Sequence, residues 1–318
     1  MDEHFESLLA RANRAFSDGP VGAAVAKVRA IVGVPNVPDS EKAAQSALDK
    51  LRRSQAPEPR ELAALELVIR MMRAAPLSRK GALDPLPSAK GSGTYNPATE
   101  QRWNGFRAMV APYLYSIGRL DRTSGPNPEI GTGFLVGDDA LLTNHHVLSE
   151  LSFGADALQE GQAVVRFYQE AGAADPTPSS FPITEVIAIH PTLDLALLRI
   201  ALPAARPVPA FESNAVAKAT EVAAIGYPFK DDRNPLFANA VFGAHYGVKR
   251  AAIGEIMAVG KARLFHDCST LGGNSGSPLF SLETGRIVGV HYTGLFMYRN
   301  EAVPAAGAAA FVAQAARP

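Results

Sequence analysis

The first 75 residues repeat apolar side chains at the three- and four-residue spacing of amphipathic helices. Pro20 and Pro59 stand where a second and a fourth helix would begin, because proline is favoured in the first helical turn. The four predicted apolar stripes contain Leu8, Ala12 and Phe16; Val21, Val25 and Val28; Ala43, Ala47 and Leu51; and Leu62, Leu65, Ile69 and Met72. Short helices with one apolar face each predict a small helical bundle over residues 1–75.

The pattern changes twice along the rest of the chain. Prolines and glycines interrupt every period between residues 76 and 104, and we interpret this segment as a linker. From residue 105 to 318, short strands alternate with turn residues, a pattern typical of a β-barrel or sandwich. The predicted strands include Tyr113–Leu120, Gly133–Val136, Ala140–Asn144, Ala163–Tyr168, Leu195–Ile200, Glu221–Ile225 and Ile287–Val290. The alanine-rich stretch from Pro304 to Ala316 predicts a C-terminal helix.

Composition narrows the possible partners. The 318 residues are 47% hydrophobic and 19% charged, which is typical of a globular protein with a real core. Basic and acidic residues number 31 each, so the basic excess of a nucleic-acid-binding surface is absent and we expect no nucleic acid partner. We expect no membrane partner either, because the chain has no apolar run of about 18 residues.

The cellular compartment is inferred from two features. Cys268 is the single cysteine, so the chain cannot form an internal disulfide, which favours a reducing compartment. The N-terminus begins Met-Asp-Glu-His, which is acidic where a secretory signal would be basic. We therefore expect a cytoplasmic protein. No histidine shows metal-ligand spacing with cysteine or carboxylate residues, and we expect neither a metal nor a cofactor.

Three segments supply the groups that acyl transfer to a serine requires, namely a base, a carboxylate and a nucleophile with backbone donors. The first runs from Leu141 to Val147 and contains two histidines, the second is Thr192–Arg199, and the third is Ser269–Phe280. Each segment alone also suits a structural role, as a polar loop, a strand start or a glycine-serine turn. Together, in the order histidine, aspartate, serine, they favour catalysis.

The third segment, which contains Gly-Asn-Ser-Gly-Ser-Pro, resembles the nucleophile loop of chymotrypsin-like serine peptidases, and the resemblance covers roughly residues 105–312. The family implies a double β-barrel with the site between the barrels. By the same resemblance, His146, directly before a valine, is the base, Asp194 orients it and Ser275 is the nucleophile. The backbone N–H groups of Gly273 and Ser275 would then form the oxyanion hole. The implied fold is multidomain α + β, with a helical bundle, a chymotrypsin-like double barrel and a C-terminal helix.

Within this family, the residues around the nucleophile are similar to those of bacterial glutamyl endopeptidases. The resemblance implies that Thr270, five residues before the serine, and His291, on a following strand, contact an acidic substrate side chain. Ser269 occupies the position where trypsin-type enzymes carry an aspartate, so a pocket for lysine or arginine would lack its main attraction. We therefore predict cleavage of protein or peptide substrates after Glu or Asp. The alternative is an apolar pocket in which His291 is a packed strand residue.

Two other functions share these residues. The barrel could be a catalytically silent binding or adaptor protein, or the same triad could serve an esterase. The layout also resembles bacterial peptidases fused to helical adaptor domains. This resemblance implies that residues 1–75 bind a helical-domain protein partner and control the peptidase.

Overall fold

The computed structural model describes residues 3–16, 20–32, 40–87, 97–173, 180–230, 241–243, 245–295 and 299–315. The helices are α1 (Glu3–Phe16), α2 (Val21–Val32), α3 (Glu41–Arg52), α4 (Pro59–Met71), α5 (Pro97–Val110), α6 (His145–Leu151) and α7 (Ala305–Ala315). The strands of the first half are β1 (Ser78–Arg79), β2 (Ala82–Leu83), β3 (Ile117–Arg122), β4 (Glu129–Leu135), β5 (Ala140–Thr143), β6 (Ala163–Arg166), β7 (Ser180–Ile189) and β8 (Ala196–Ile200). The remaining strands are β9 (Glu221–Gly226), β10 (Arg250–Val259), β11 (Leu264–His266), β12 (Pro278–Ser281), β13 (Ile287–Leu295) and β14 (Arg299–Pro304).

Helices α1 to α4 pack their apolar stripes together around one core, which we call the helical module. Leu8, Leu48 and Leu65 are completely or almost completely buried in this core. Helix α4 begins at Pro59, as expected of a proline in the first turn, and Glu58 and Glu61 form a reciprocal capping box. The amphipathic pattern therefore located all four helices, because each buries one face against the others.

The segment interpreted as a linker carries regular structure on both sides of residues 88–96, which lie outside the described residues. Strands β1 and β2 pair as a hairpin, and Leu77 bridges to Arg250 at the start of β10. Helix α5 follows and buries Trp103 and Phe106 in the core between the barrels. The β pattern expected from residue 105 onward is therefore wrong at its start, because α5 extends to Val110.

The strands close into two six-stranded antiparallel barrels. The first has the order β3-β4-β5-β8-β7-β6, and the second has the order β10-β11-β14-β13-β12-β9. The predicted fold class, a helical bundle followed by a chymotrypsin-like double barrel with a C-terminal helix, is confirmed. The strand predicted over Tyr113–Leu120 begins only at Ile117, because Pro112 favours the first turn of a 3₁₀ helix over Ala111–Ser116.

The two barrels share a buried boundary that positions the loops between them. Phe134 of the first barrel and Ile225 of the second lie in one apolar cluster. The buried hydroxyl of Tyr227, which follows β9, donates to the carbonyl of Ile117 on β3 at 3.0 Å. Helix α7 packs back against β13 and β14. Across the described part of the chain, no helix combines the length and hydropathy needed to cross a membrane.

Candidate active site

His146 and Asp194 pair where β5 passes into α6. Asn144 occupies the N-cap position, so His146 lies in the first turn of the helix. His146 Nδ1 lies 2.5 Å from Asp194 Oδ2, and the backbone N–H of His146 donates to Asp194 Oδ1 at 2.9 Å. Asn144 Nδ2 donates to the Asp194 carbonyl at 2.8 Å. Because both carboxylate oxygens bind His146, the ring turns Nδ1 toward the carboxylate and leaves Nε2 on the opposite side.

The electrostatics of Asp194 favour its ionised form. Partial burial alone would raise the pKa of Asp194, but the hydrogen bonds and the charge of His146 outweigh burial and lower it. An ionised Asp194 would stabilise an imidazolium at His146 if that ring accepted a proton. The adjacent His145 has different surroundings, because its Nε2 lies 2.9 Å from Oδ1 of the exposed Asp156.

Ser275 lies in the loop between β11 and β12, which is fixed by backbone bonds to both barrels. The N–H of Thr132, on β4 of the first barrel, donates to the Ser275 carbonyl at 2.8 Å. The N–H of Gly276 donates to the carbonyl of His291 on β13 at 2.8 Å. Gly276 has a φ of +87°, and a Cβ there would lie 1.9 Å from the Thr132 carbonyl oxygen, so only glycine fits.

The hydroxyl of Ser275 lies in the same cavity as the histidine-aspartate pair. This cavity has a volume of about 550 Å³ and is lined by His146, Asp194 and Ser275 among others. Ser275 Oγ donates a 3.3 Å hydrogen bond to the Tyr292 carbonyl, and no hydrogen bond joins it to His146 in this conformation. The structure thus brings the three predicted triad residues to one cavity, with the serine hydroxyl turned to the strand β13 side.

The backbone N–H groups of Gly273 and Ser275 are oriented by hydrogen bonds that the carbonyls of the same peptide units accept. The Gly272 carbonyl accepts from the Phe229 N–H at 2.7 Å, and the Asn274 carbonyl accepts from the Ser277 N–H at 2.9 Å. In a trans peptide the N–H points opposite to the carbonyl, so the N–H groups of Gly273 and Ser275 point away from these anchors. Among the described residues, neither N–H has a hydrogen-bond acceptor. Both are therefore free to donate to an oxyanion.

The residues predicted to contact the substrate divide into two groups. Thr270 and His291 line the cavity together with the triad residues. The buried Ser269 does not line it, and its Oγ has no hydrogen-bond partner. The structure therefore brings Thr270 and His291, but not Ser269, to the candidate site.

A second buried histidine, His266, forms a hydrogen bond with His291. His266 Nε2, on β11, lies 3.1 Å from His291 Nδ1 on β13, and both rings are buried. Burial and the nearby His146 lower the pKa of His291 to about 3, and burial lowers the pKa of His266 well below its usual range. Both imidazoles are neutral at neutral pH, so the pair shares one N–H···N hydrogen bond. The spacing of residues along the sequence does not indicate a role for His266. Its strand, β11, comes close to β13 only when the second barrel closes.

Two other residues of the site also escaped sequence analysis. Thr132 Oγ1 donates to the Gly273 carbonyl at 2.7 Å, which ties the first barrel to the nucleophile loop a second time. Asn300, on β14, lines the cavity, and its Nδ2 donates to the Cys268 carbonyl. Its Oδ1 fills the space where a Cβ on Gly294 would lie, which explains a glycine there. Only the motif Gly131-Thr-Gly, which lies within β4, could have drawn attention to Thr132.

The thiol of Cys268, near the candidate site, is held in its unreactive protonated form. Cys268 is completely buried, and burial raises the pKa of its thiol to about 12. Within the residues that the structure describes, no three His, Cys, Asp or Glu side chains form a group that could hold a metal ion.

A double barrel with a histidine-aspartate pair and a serine at the barrel boundary defines the chymotrypsin-like class of serine peptidases. The family model of the trypsin-like peptidase domain matches residues 131–290, half of the chain, and the chain belongs to this family. The match begins at the glycine before Thr132 and ends at the residue before His291.

Among curated proteins, the chain is 27% identical over 179 residues to a glutamyl endopeptidase of Staphylococcus epidermidis, covering 54% of this chain and 57% of that protein. It is 28% identical over 253 residues to a probable serine protease of Lysobacter enzymogenes, covering 63% of this chain and 64% of that protein. The chain thus spans less than two thirds of the length of these relatives.

Solved structures with a similar fold include two bacterial proteins. The serine endoprotease of Yersinia pestis matches with a TM-score of 0.49 and 18% identity, covering 66% of both chains. An inactive form of Rv3671c from M. tuberculosis H37Rv matches with a TM-score of 0.47 and 21% identity, covering 70% of this chain and 96% of that one.

Proposed function

We propose that this protein is a serine endopeptidase that uses Ser275 as nucleophile, His146 as general base and acid, and Asp194 as the group that orients His146. The proposal rests on one observation. The His146–Asp194 pair and Ser275 line one cavity, beside two backbone N–H groups that have no acceptor among the described residues. Membership of the trypsin-like peptidase family supports the same chemistry.

The proposed mechanism follows the steps of acyl transfer. Rotation about the Cα–Cβ bond of Ser275 moves Oγ from the Tyr292 carbonyl toward His146 Nε2. His146 then takes the hydroxyl proton while Oγ attacks the carbonyl carbon of the substrate. The oxyanion accepts hydrogen bonds from the N–H groups of Gly273 and Ser275, each worth about 3 kcal/mol in the transition state. His146 returns the proton to the leaving amine, and water repeats the sequence on the acyl-enzyme.

We propose that the substrate side chain before the cleaved bond is Glu or Asp. Thr270 and His291 border the cavity next to Ser275, and both can donate to a carboxylate. When His266 Nε2 donates to His291 Nδ1, the neutral His291 ring carries its proton on Nε2. The name of the Staphylococcus epidermidis relative is consistent with this preference.

The experiment is digestion of a mixed peptide library by the full chain, with cleavage sites mapped by mass spectrometry. We expect cleavage after Glu, with Asp second, and no cleavage by Ser275→Ala. Cleavage mainly after Arg or Leu would contradict the acidic preference. Hydrolysis of small esters without any peptide cleavage would favour the esterase, and inertness of the wild type toward both would favour the silent adaptor.

The proposed control by residues 1–75 has a physical route. Arg11 and Arg14 of α1, and Arg73 just after α4, form ion pairs with the second barrel. A partner protein bound to the helical module would therefore act on the barrel through these contacts. The partner-binding role of residues 1–75 stays a prediction.

A further inference from the structure

The helical module contacts the second barrel through a buried ionic network directly behind the candidate specificity pocket. Arg11 Nε lies 2.7 Å from Asp267 Oδ2, and the other end of the same guanidinium binds Glu66 of α4 at 2.5 and 2.8 Å. Arg73 also binds Asp267. Arg11 and Asp267 are almost completely buried. Since Asp267 directly follows His266, the network ends beside the histidine pair of the pocket.

Glu255, on β10, extends the network at its outer side. It binds the half-exposed Arg14 and, at 3.3 Å, Arg73. The Glu255 N–H donates to Asp267 Oδ1 at 2.8 Å, so the two carboxylates are held next to each other. Asp267 thus has two arginine partners and one backbone donor, which compensate its burial.

Arg70 of α4 is the unmatched charge in this region. It lies one helical turn after Glu66, which binds Arg11, and its carbonyl accepts from the Arg73 N–H at 3.0 Å. Arg70 is 2% exposed, and its Nε and Nη2 have no hydrogen-bond partner. Among the described residues, no carboxylate lies within ion-pair distance of it, so four arginines here face three carboxylates. The nearby Glu66 acts on Arg70 electrostatically but is bound to Arg11, and a buried cation that shares its carboxylate in this way is costly unless another group supplies negative charge.

The histidine pair connects this charge to the cavity. His266 lies between the network and His291, and its Nδ1 is also buried without a partner. The positive charge of Arg70 contributes to lowering the pKa of His266, which places the guanidinium within electrostatic reach of the ring. Because both histidines stay neutral, the pair adds no charge of its own to that of Arg70.

We propose that Arg70 is a specificity-determining residue, in which the helical module supplies from behind His266 the positive charge that attracts an acidic substrate side chain to His291. A carboxylate in the cavity would provide the negative charge that the network lacks. A glutamine of the same shape would not, so the charge discriminates between the two. This inference rests on the proposed peptidase function and its acidic preference. It gives α4 an electrostatic role in substrate selection, although no residue of α4 lines the cavity.

The test compares wild type, Arg70→Met, Arg70→Lys and Arg60→Met as full chains. The substrates are two peptides that differ only in Glu or Gln before the cleaved bond. For Arg70→Met we expect the Glu-over-Gln ratio of kcat/KM to fall about tenfold, through a higher KM for the Glu peptide with nearly unchanged kcat. Arg70→Lys should keep most of the ratio. Arg60→Met, on the exposed face of the same helix, should match wild type.

Three further measurements separate an electrostatic role from a structural one. Arg70→Met should keep or raise the Tm, because it removes an unpaired buried charge, and should label at Ser275 with a fluorophosphonate at the wild-type rate. NMR titration should show the imidazole of His266 protonating at higher pH in Arg70→Met. Arg70→Gln provides a second neutral variant for the same assays if the methionine side chain disrupts packing.

The outcomes divide clearly. An unchanged Glu-over-Gln ratio in a folded neutral variant, or an equal loss on both peptides, would overturn the role of Arg70 while the peptidase and its preference stand. A wild type without preference for Glu over Gln would overturn the acidic specificity and this inference together.

Discussion

The backbone N–H of Thr132, on the first barrel, donates a 2.8 Å hydrogen bond to the carbonyl of Ser275, on the second. A second bond, from Thr132 Oγ1 to the Gly273 carbonyl at 2.7 Å, holds the same loop. The barrel that carries His146 and Asp194 therefore also fixes the position of Ser275, the proposed nucleophile. The positions of His146, Asp194 and Ser275 relative to one another therefore depend on these hydrogen bonds as well as on packing between the barrels. Small displacements of catalytic groups are costly to catalysis.

Thr132→Val removes two side-chain hydrogen bonds, from Oγ1 to the Gly273 carbonyl and from the Tyr227 N–H to Oγ1, while keeping the shape and the backbone bond to Ser275. We expect a loss of about 1–3 kcal/mol in the free energy of unfolding, because the buried Gly273 carbonyl loses its donor. We also expect a lower kcat, since the Gly273 peptide is adjacent to an oxyanion donor. Urea denaturation and peptide hydrolysis measure the two effects. Thr184→Val, at an exposed position, is the control and should match wild type in both.

We expect Gly276→Ala to destabilise the loop that carries Ser275, and Gly272→Ala to leave its stability unchanged. A Cβ at Gly276 would lie 1.9 Å from the Thr132 carbonyl oxygen and require a φ of +87°, while a Cβ at Gly272 meets nothing within 4 Å. Gly276→Ala should therefore lower the Tm by several degrees, for a cost of about 1–3 kcal/mol. Thermal unfolding of both variants checks this expectation. Equal Tm values would contradict the positions assigned to the loop.

Asp194→Asn should nearly abolish peptide hydrolysis without unfolding the protein. The amide keeps an oxygen for the His146 backbone N–H but presents an NH₂ group to Nδ1, which forces the wrong imidazole tautomer. A reduction of kcat by about 10⁴-fold is expected for such a change. Steady-state kinetics and circular dichroism together measure it. A variant with more than a tenth of wild-type kcat would show that Asp194 does not orient the base.

Stability should fall as the pH is lowered from about 6.5. The folded-state pKa of His291 is about 3, below its unfolded value near 6.5, and that of His266 is also lowered by burial. Between these values the unfolded chain binds protons that the folded protein does not, so acid favours unfolding by about 1.4 kcal/mol per pH unit for each such imidazole. Urea denaturation at pH 7, 5.5 and 4 measures the slope.

His291→Gln removes one of these buried imidazoles and should flatten the dependence on pH. Thr184→Val, at an exposed position without a titratable group, is the control and should show the wild-type slope. A wild-type slope in His291→Gln would mean that His291 is protonated in the folded protein.

Patterns within short stretches of the sequence predicted the four helices of the helical module and the loop that carries Ser275. The helical module follows from the 3.6-residue period, and the serine loop from two glycines around Ser275. His146, Asp194, Thr270 and His291 all reach the cavity as expected from the resemblance. The strand predicted from Tyr113 begins too early, because the alternation of apolar residues there also fits a 3₁₀ helix with a proline in its first turn.

The contacts that complete the site join residues far apart in the chain. His266 meets His291 only because β11 and β13 both pair with β14, and Asn300 reaches the cavity from that shared neighbour. Arg70 lies on an amphipathic helix and is only 2% exposed, which the pattern of apolar residues does not indicate. Register between distant strands and docking of one module on another leave no periodic signal in the sequence.

Reaction of the purified protein with a fluorophosphonate probe tests the central claim most directly, because the probe reports an assembled serine nucleophile without knowledge of the substrate. Wild type, Ser275→Ala and His146→Ala would be labelled in parallel, and the modified peptide identified by mass spectrometry. We expect labelling of the wild type alone, at Ser275. Absence of labelling in the wild type, or equal labelling of Ser275→Ala, would contradict the assignment of Ser275 and His146 as a catalytic pair.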